Sequence, residues 1–174
     1  TTAGQNPNDA KADLEITDPP TVSKYFSPNN TAPNATVFLI ITLTNPNTSA
    51  TLTSDLVDTL PAGLTLADTN FGGSCRSAGT VTGTAGGNTI RLLAGSTIFG
   101  NSSCDIVVNI RNNGVIGTYT NTIPVNALQT NKGNNPTVAA ADLTVSGIGV
   151  TKTFDPYAVP VNTPTVLILS LKND

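Results

Sequence analysis

The chain has 174 residues, 11% of them charged, a net charge of −3, and no histidine, methionine or tryptophan. Without imidazole the usual zinc and haem ligands are missing, and so is the base that activates most nucleophiles, so an enzyme is not expected and no cofactor or metal is implied. The acidic balance argues against nucleic acid as a partner, and the lack of a long apolar run argues against membrane insertion; neither that nor a leader-like segment is present, as expected for a mature or excised piece of a soluble protein.

Taken in chain order, the sequence repeats itself. "GQNPNDAKADLEI" (4–16) matches "GNNPTVAAADLTV" (133–145) at 7 of 13 positions. "VSKYFSPNNTAPNATVFLIITLTN" (22–45) matches "VTKTFDPYAVPVNTPTVLILSLKN" (150–173), with Val, Lys, Phe, Pro, Asn, Leu, Ile, Leu and Asn in step. The offset is 129 residues in the first block and 128 in the second, so the period is that of a domain. Residues 1–20 are expected to be the tail of a preceding unit, 21–149 one complete unit, and 150–174 the start of the next. "TDPP" (17–20) predicts a stiff joint between units.

Within the unit, short runs of alternating apolar residues predict strands at 21–26, 36–44, 50–59, 64–68, 79–84, 88–93, 104–111, 116–123 and 138–146. "SPNNTAPN", "NPNTS", "LPAG", "TAGGN" and "RNNGVIG" separate them as turns. No segment carries a capped 3.6-residue period. Strands of this number and length predict an all-β, Ig-like antiparallel sandwich with Greek-key connections.

The only cysteines are Cys75 and Cys104. Too few ligands surround them for a metal, and a catalytic thiol would lack its base. A disulfide is the better reading, and it implies an oxidising compartment outside the cytosol. Sequons at Asn29, Asn34, Asn47 and Asn101 are compatible with glycosylation, although a chain rich in Asn and Thr makes sequons by chance. Asp55, Asp58 and Asp68 are the nearest approach to a calcium set, but no D-x-D-x-D run gathers them. "TAGGN" reads as a hairpin turn, because no helix follows it to form a phosphate cradle.

Three strands carry a polar residue where an apolar one belongs. In "TVSKYF" Lys24 shares a face with Val22 and Phe26; in "DLVDTL" Asp58 lies between Leu56 and Leu60; in "GTYTNTI" Asn121 lies between Tyr119 and Ile123. Burying any one alone is costly, so the three are expected to meet. Burial disfavours both charged forms of an amine–acid pair. A neutral lysine can then attack the carboxamide while the acid moves protons, giving a Lys24–Asn121 isopeptide bond and ammonia. An unreacted hydrogen-bonded cluster is the alternative. A third reading has the lysine snorkelling to water from an edge strand.

"VSKYFSPN", "ITLTNPN", "VDTLPAGLTL", "GTYTNTIP" and "ADLTV" resemble the bacterial surface repeat called domain of unknown function eleven and its relatives. The order Lys, Asp, Asn is also similar to the triad of Cna-type adhesin domains. That resemblance implies Lys24 as amine donor, Asp58 as catalytic acid and Asn121 as acceptor. It further implies an extracellular, cell-surface repeat of an adhesin, stalk or filament whose partners are neighbouring repeats arranged head to tail. A module that binds a glycan or a host protein is the competing expectation.

Overall fold

The protein is described here from a computed structural model, in which residues 12, 14 and 16–173 are described. Apart from residues 12, 14 and 16, the repeated segment 4–16 lies outside the described residues. Sixteen strands follow in order among the described residues. They are β1 (Thr21–Ser27), β2 (Asn30–Thr31), β3 (Thr36–Asn45), β4 (Ala50–Thr51), β5 (Leu56–Thr59), β6 (Leu64–Leu66), β7 (Val81–Gly83) and β8 (Thr89–Leu92). The second half holds β9 (Thr97–Ile98), β10 (Ser102–Asn112), β11 (Gly117–Ile123), β12 (Gln129–Thr130), β13 (Gly133–Asn134), β14 (Ala139–Val145), β15 (Ile148–Asp155) and β16 (Val166–Asn173).

One layer of the sandwich is a single ladder in the order β1-β3-β10-β6. The other is divided into two ladders, β5-β8-β7 and β11-β14-β2. Alternation makes each strand amphipathic: β1 reads exposed–buried throughout, and Leu39, Ile41 and Leu43 of β3 turn inward with Ile106, Val108 and Ile110 of β10. These residues join Leu56, Ile90, Leu92, Ile123 and Leu143 in one core cluster. The pairings are antiparallel except that of β14 with β2, which is parallel at Thr144↔Asn30 and Val145↔Thr31. β2 belongs to the connection between β1 and β3, and this pairing fastens that connection to the end of β14.

The long predicted strands are present, with one division. The run 50–59 breaks into β4 and β5, because Leu52 forms an isolated bridge with Thr130 and Thr53 donates to the Gln129 carbonyl, which turns the chain away. The two-residue strands β2, β9, β12 and β13 and a 3-10 turn at Ser74–Arg76 were not predictable. Such short ladders are set by which loops meet, and two residues carry no periodicity.

The 3-10 turn carries Cys75, which is disulfide-bonded to Cys104 of β10, with an S–S distance of 1.98 Å and Cα atoms 4.8 Å apart. Gly72 pairs with Val107, so the loop lies along the edge of β10. Gly73 has φ +91°, and a Cβ there would stand 2.1 Å from the Asp105 carbonyl oxygen, so only glycine lets the loop approach this closely. The loop closed by the bond spans 29 residues, worth about 3.5 kcal/mol in the chain-entropy view. Titration of the denatured, non-reduced protein should find no free thiol, and reduction should expose both. Reduction should also lower the unfolding free energy by up to ~3.5 kcal/mol, read from urea midpoints.

Candidate functional site: a buried lysine, aspartate and asparagine

Lys24 stands at the middle of β1, opposite Ile41 of β3 and between the buried Val22 and Phe26. β1 is the edge strand of its ladder, where a lysine ordinarily reaches water. This one does not: its side chain is 0% exposed. Its Nζ donates to Asp58 Oδ2 at 2.6 Å, across the core to β5. Asn121 of β11, itself buried, donates from Nδ2 to the same oxygen at 3.0 Å. The three residues singled out in the sequence are brought together, and the snorkelling reading is excluded.

Each member arrives from a different ladder. β1 brings Lys24 from the undivided layer, β5 brings Asp58 from one half of the opposing layer, and β11 brings Asn121 from the other half. The electrostatics are unbalanced. Burial pulls the Lys24 pKa below its ordinary value of 10.5, and the charge and hydrogen bond of Asp58 only partly offset it. Two buried oxygens, Asp58 Oδ1 and Asn121 Oδ1, have no hydrogen-bond partner. An orphaned acceptor of this kind costs about 1–3 kcal/mol.

Three other buried asparagines show what a settled carboxamide looks like in this fold. Asn45 donates to the Ile98 and Phe99 carbonyls and accepts from the Asn47 amide. Asn112 donates to the carbonyls of Ala32 and Ala35 and accepts from the amides of Asn34 and Gly114. Asn135 donates to the Pro124 and Thr137 carbonyls and accepts from the Leu128 amide. All three clamp loops at the ends of strands. Sequence reasoning missed them; their only signal was an asparagine closing a strand or opening a turn, in "LTNPN", "RNNG" and "GNNP". Asn121 alone among the four sits mid-strand with an unpaired oxygen.

The remaining candidates lie elsewhere. Asp55 accepts from the Ala94 amide and pairs with Arg91 at 3.4 Å, while Asp68 accepts from the Asn70 amide and from Asn109. Asp55, Asp58 and Asp68 thus serve three separate sets of partners and do not converge on a calcium site. The sequon residues Asn29, Asn34 and Asn101 are exposed. Asn47 is half-buried, with its amide nitrogen donating to the Asp18 carbonyl and to Asn45.

A family described as "Domain of unknown function (DUF7933)" matches residues 20–145. The chain belongs to this family. The domain of unknown function eleven, whose motifs the sequence resembles, is not the family matched. No curated protein sequence matches the chain. Among solved structures, BslA, a bacterial hydrophobin, is similar at TM-score 0.47 and 15% identity, over 74% of this chain and 95% of that one. A non-cellulosomal cohesin from Archaeoglobus fulgidus gives TM-score 0.47 at 10% identity, over 72% of this chain and 91% of that one. The RrgB pilus backbone of Streptococcus pneumoniae gives 0.45 at 12% identity, over 90% of this chain but 47% of its own length. These likenesses are too distant to carry functional argument for this member of the DUF7933 family.

A lysine whose pKa is lowered on folding binds fewer protons in the native than in the unfolded state between the lowered value and 10.5. Stability therefore rises with pH across that window. In Asn121→Ala, which has no acceptor, urea denaturation should show this rise relative to a Lys24→Met/Asn121→Ala double variant. If wild-type Lys24 is bonded as an amide it no longer titrates, and the rise should be absent there.

Proposed function

We propose that residues 21–149 form a covalently locked structural link of an extracellular, cell-surface filament or adhesin shaft, in which an isopeptide bond joins Lys24 to Asn121. The observation that carries this reading is the shared Asp58 oxygen, which holds the amine and the carboxamide together in a dry core beside two unsatisfied acceptors.

The chemistry balances without a cofactor. Lys24 passes a proton to Asp58, leaving a neutral amine beside a carboxylic acid. Rotation of the Asn121 carboxamide about its last side-chain bond then presents Oδ1, in place of Nδ2, to the new acid proton. The Lys24 nitrogen attacks Cγ, the acid stabilises the oxygen as charge develops, and the proton lost from the amine returns through Asp58 to the departing nitrogen. Ammonia leaves and a secondary amide remains; nothing is oxidised or reduced. Folding supplies the proximity that an enzyme would otherwise provide. The intact protein should weigh one ammonia less than its sequence, beyond the hydrogens lost to the disulfide. Asp58→Ala should restore that mass while the circular dichroism stays that of a β protein.

A mechanical role fits how the chain enters and leaves the unit. Thr17 donates to the Lys132 carbonyl, Asn47 holds the Asp18 carbonyl, and Pro20 is buried, so the incoming segment is laid onto the unit. Between β14 and β15 lie only Ser146 and Gly147, and Ser146 is tied to Thr31 and Asn30. Short, pinned connections of this kind support a tandem rod of units 1–20, 21–149 and 150–174 better than beads on a string. A glycan- or protein-binding module is less well supported. The groove of Thr82, Thr84, Asn88, Thr89 and Arg91 has no aromatic residue in its lining, and two others hold only Phe71 and the adjacent pair Tyr25 and Phe26.

The bond would also redraw the path of tension. Pulled from its ends, a linked unit bears load through β1 as far as Lys24, across the amide, and out along the chain from Asn121. Residues 25–120, with the disulfide, would carry none. Single-molecule stretching should release only the segment after Asn121, about 100 Å of contour at roughly 3.5 Å per residue. Asn121→Ala should release about 350 Å from the unit, the disulfide loop excepted. Equal lengths from the two proteins would refute the covalent lock.

A further inference from the structure

The hairpin of β15 and β16 pairs with no other strand among the described residues, and its apolar side chains face water. Val150 is 63% exposed, Phe154 55%, Leu169 62% and Leu171 75%. A two-stranded hairpin with an uncovered apolar face is marginal in water, so such a face calls for a cover.

The first hairpin of the unit shows what that is. β1 and β3 pair as Val22↔Leu43, Lys24↔Ile41 and Phe26↔Leu39. β15 and β16 pair as Val150↔Leu171, Lys152↔Leu169 and Phe154↔Leu167, each residue 128 positions on. The correspondence extends beyond the ladder to the connecting turn. Asn34 and Asn162 hold the same left-handed conformation, at φ 61° and 65°. Asparagine tolerates that region better than most residues, so the turns match in conformation as well as in sequence. In the first hairpin β10 continues the ladder along β3, β14 lies beside β1, and the lysine of this face meets Asp58 of β5, which also holds Asn121 of β11.

We infer that the face of Val150, Lys152 and Phe154 is half of a second reactive core, and that Lys152 is the amine of a second isopeptide bond. Its occupant is a set of strands equivalent to β5, β10, β11 and β14, supplied by polypeptide following residue 174, with one carboxylic acid and one carboxamide opposite Lys152. The step is the same as at Lys24: the amine displaces ammonia from the carboxamide, and the acid carries the proton. This rests on the reading of Lys24, Asp58 and Asn121 as a bond-forming set.

The chain itself supplies a probe. Residues 1–173 continued directly by residues 46–149 would place β4 to β14 after Asn173, the counterpart of Asn45. That protein should be two ammonias lighter than its sequence, beyond its disulfides, and Lys152→Ala within it only one lighter. Lys152 should react with an N-hydroxysuccinimide ester in the 174-residue chain and be protected in the extended one. One ammonia lost, with Lys152 still labelled, would overturn the inference and leave the Lys24 bond standing. So would a second unit that fails to fold, seen as thiols that remain free and a chain digested beyond residue 150, because the hairpin would then not be equivalent to β1–β3. Failure of the Lys24 reading itself shows in the 174-residue chain as no ammonia lost. Protection of Lys152 in the extended chain would still decide whether its face is covered.

Discussion

A single carboxylate oxygen, Asp58 Oδ2, is where the three main ladders of the sandwich meet. The layer containing Asp58 and Asn121 is divided, with no ladder between β5 and β11 to close it. The Asn121–Asp58 hydrogen bond spans that division, and the Lys24–Asp58 contact spans the core. Removing Asp58 would leave a buried ammonium and a buried carboxamide without partners, each far costlier to keep than to place in water.

As an unreacted cluster this arrangement is a poor stabiliser. A buried ion pair recovers its desolvation cost only when its other lone pairs and protons are satisfied, and here two oxygens are orphaned. The carboxamides of Asn45, Asn112 and Asn135 show that the fold can satisfy a buried asparagine when doing so only holds a loop. An amide between Lys24 and Asn121 removes the buried positive charge altogether. The features that make the cluster expensive as a set of free side chains are those on which the proposed reaction rests.

The disulfide and the proposed amide act on different parts of the chain. Cys75–Cys104 fastens a glycine-rich loop against β10, well inside the span from Lys24 to Asn121. It limits how far the loop can open, whereas a Lys24–Asn121 link would tie the first strand to a late one. The two are nested, so each constrains freedom of the unfolded chain that the other leaves.

Much of this was written in local pattern. Alternation of apolar and polar residues is a property of single strands, so the principal strands, their inward faces and the odd placement of Lys24, Asp58 and Asn121 were legible without coordinates. The repeat was legible too, because a hairpin copied 128 residues later keeps its residue types. The cysteine pairing followed from there being only two. What the sequence could not express was anything needing two distant loops at once. The break of 50–59 at Leu52, the parallel β2–β14 pairing and the asparagine clamps depend on where other segments lie. That Lys24 points into a dry core instead of reaching water from its edge strand was likewise a tertiary outcome. Residue types showed that an amine, an acid and a carboxamide faced inward; only packing decided that they share one oxygen, because contact across a core depends on the registers of three ladders together.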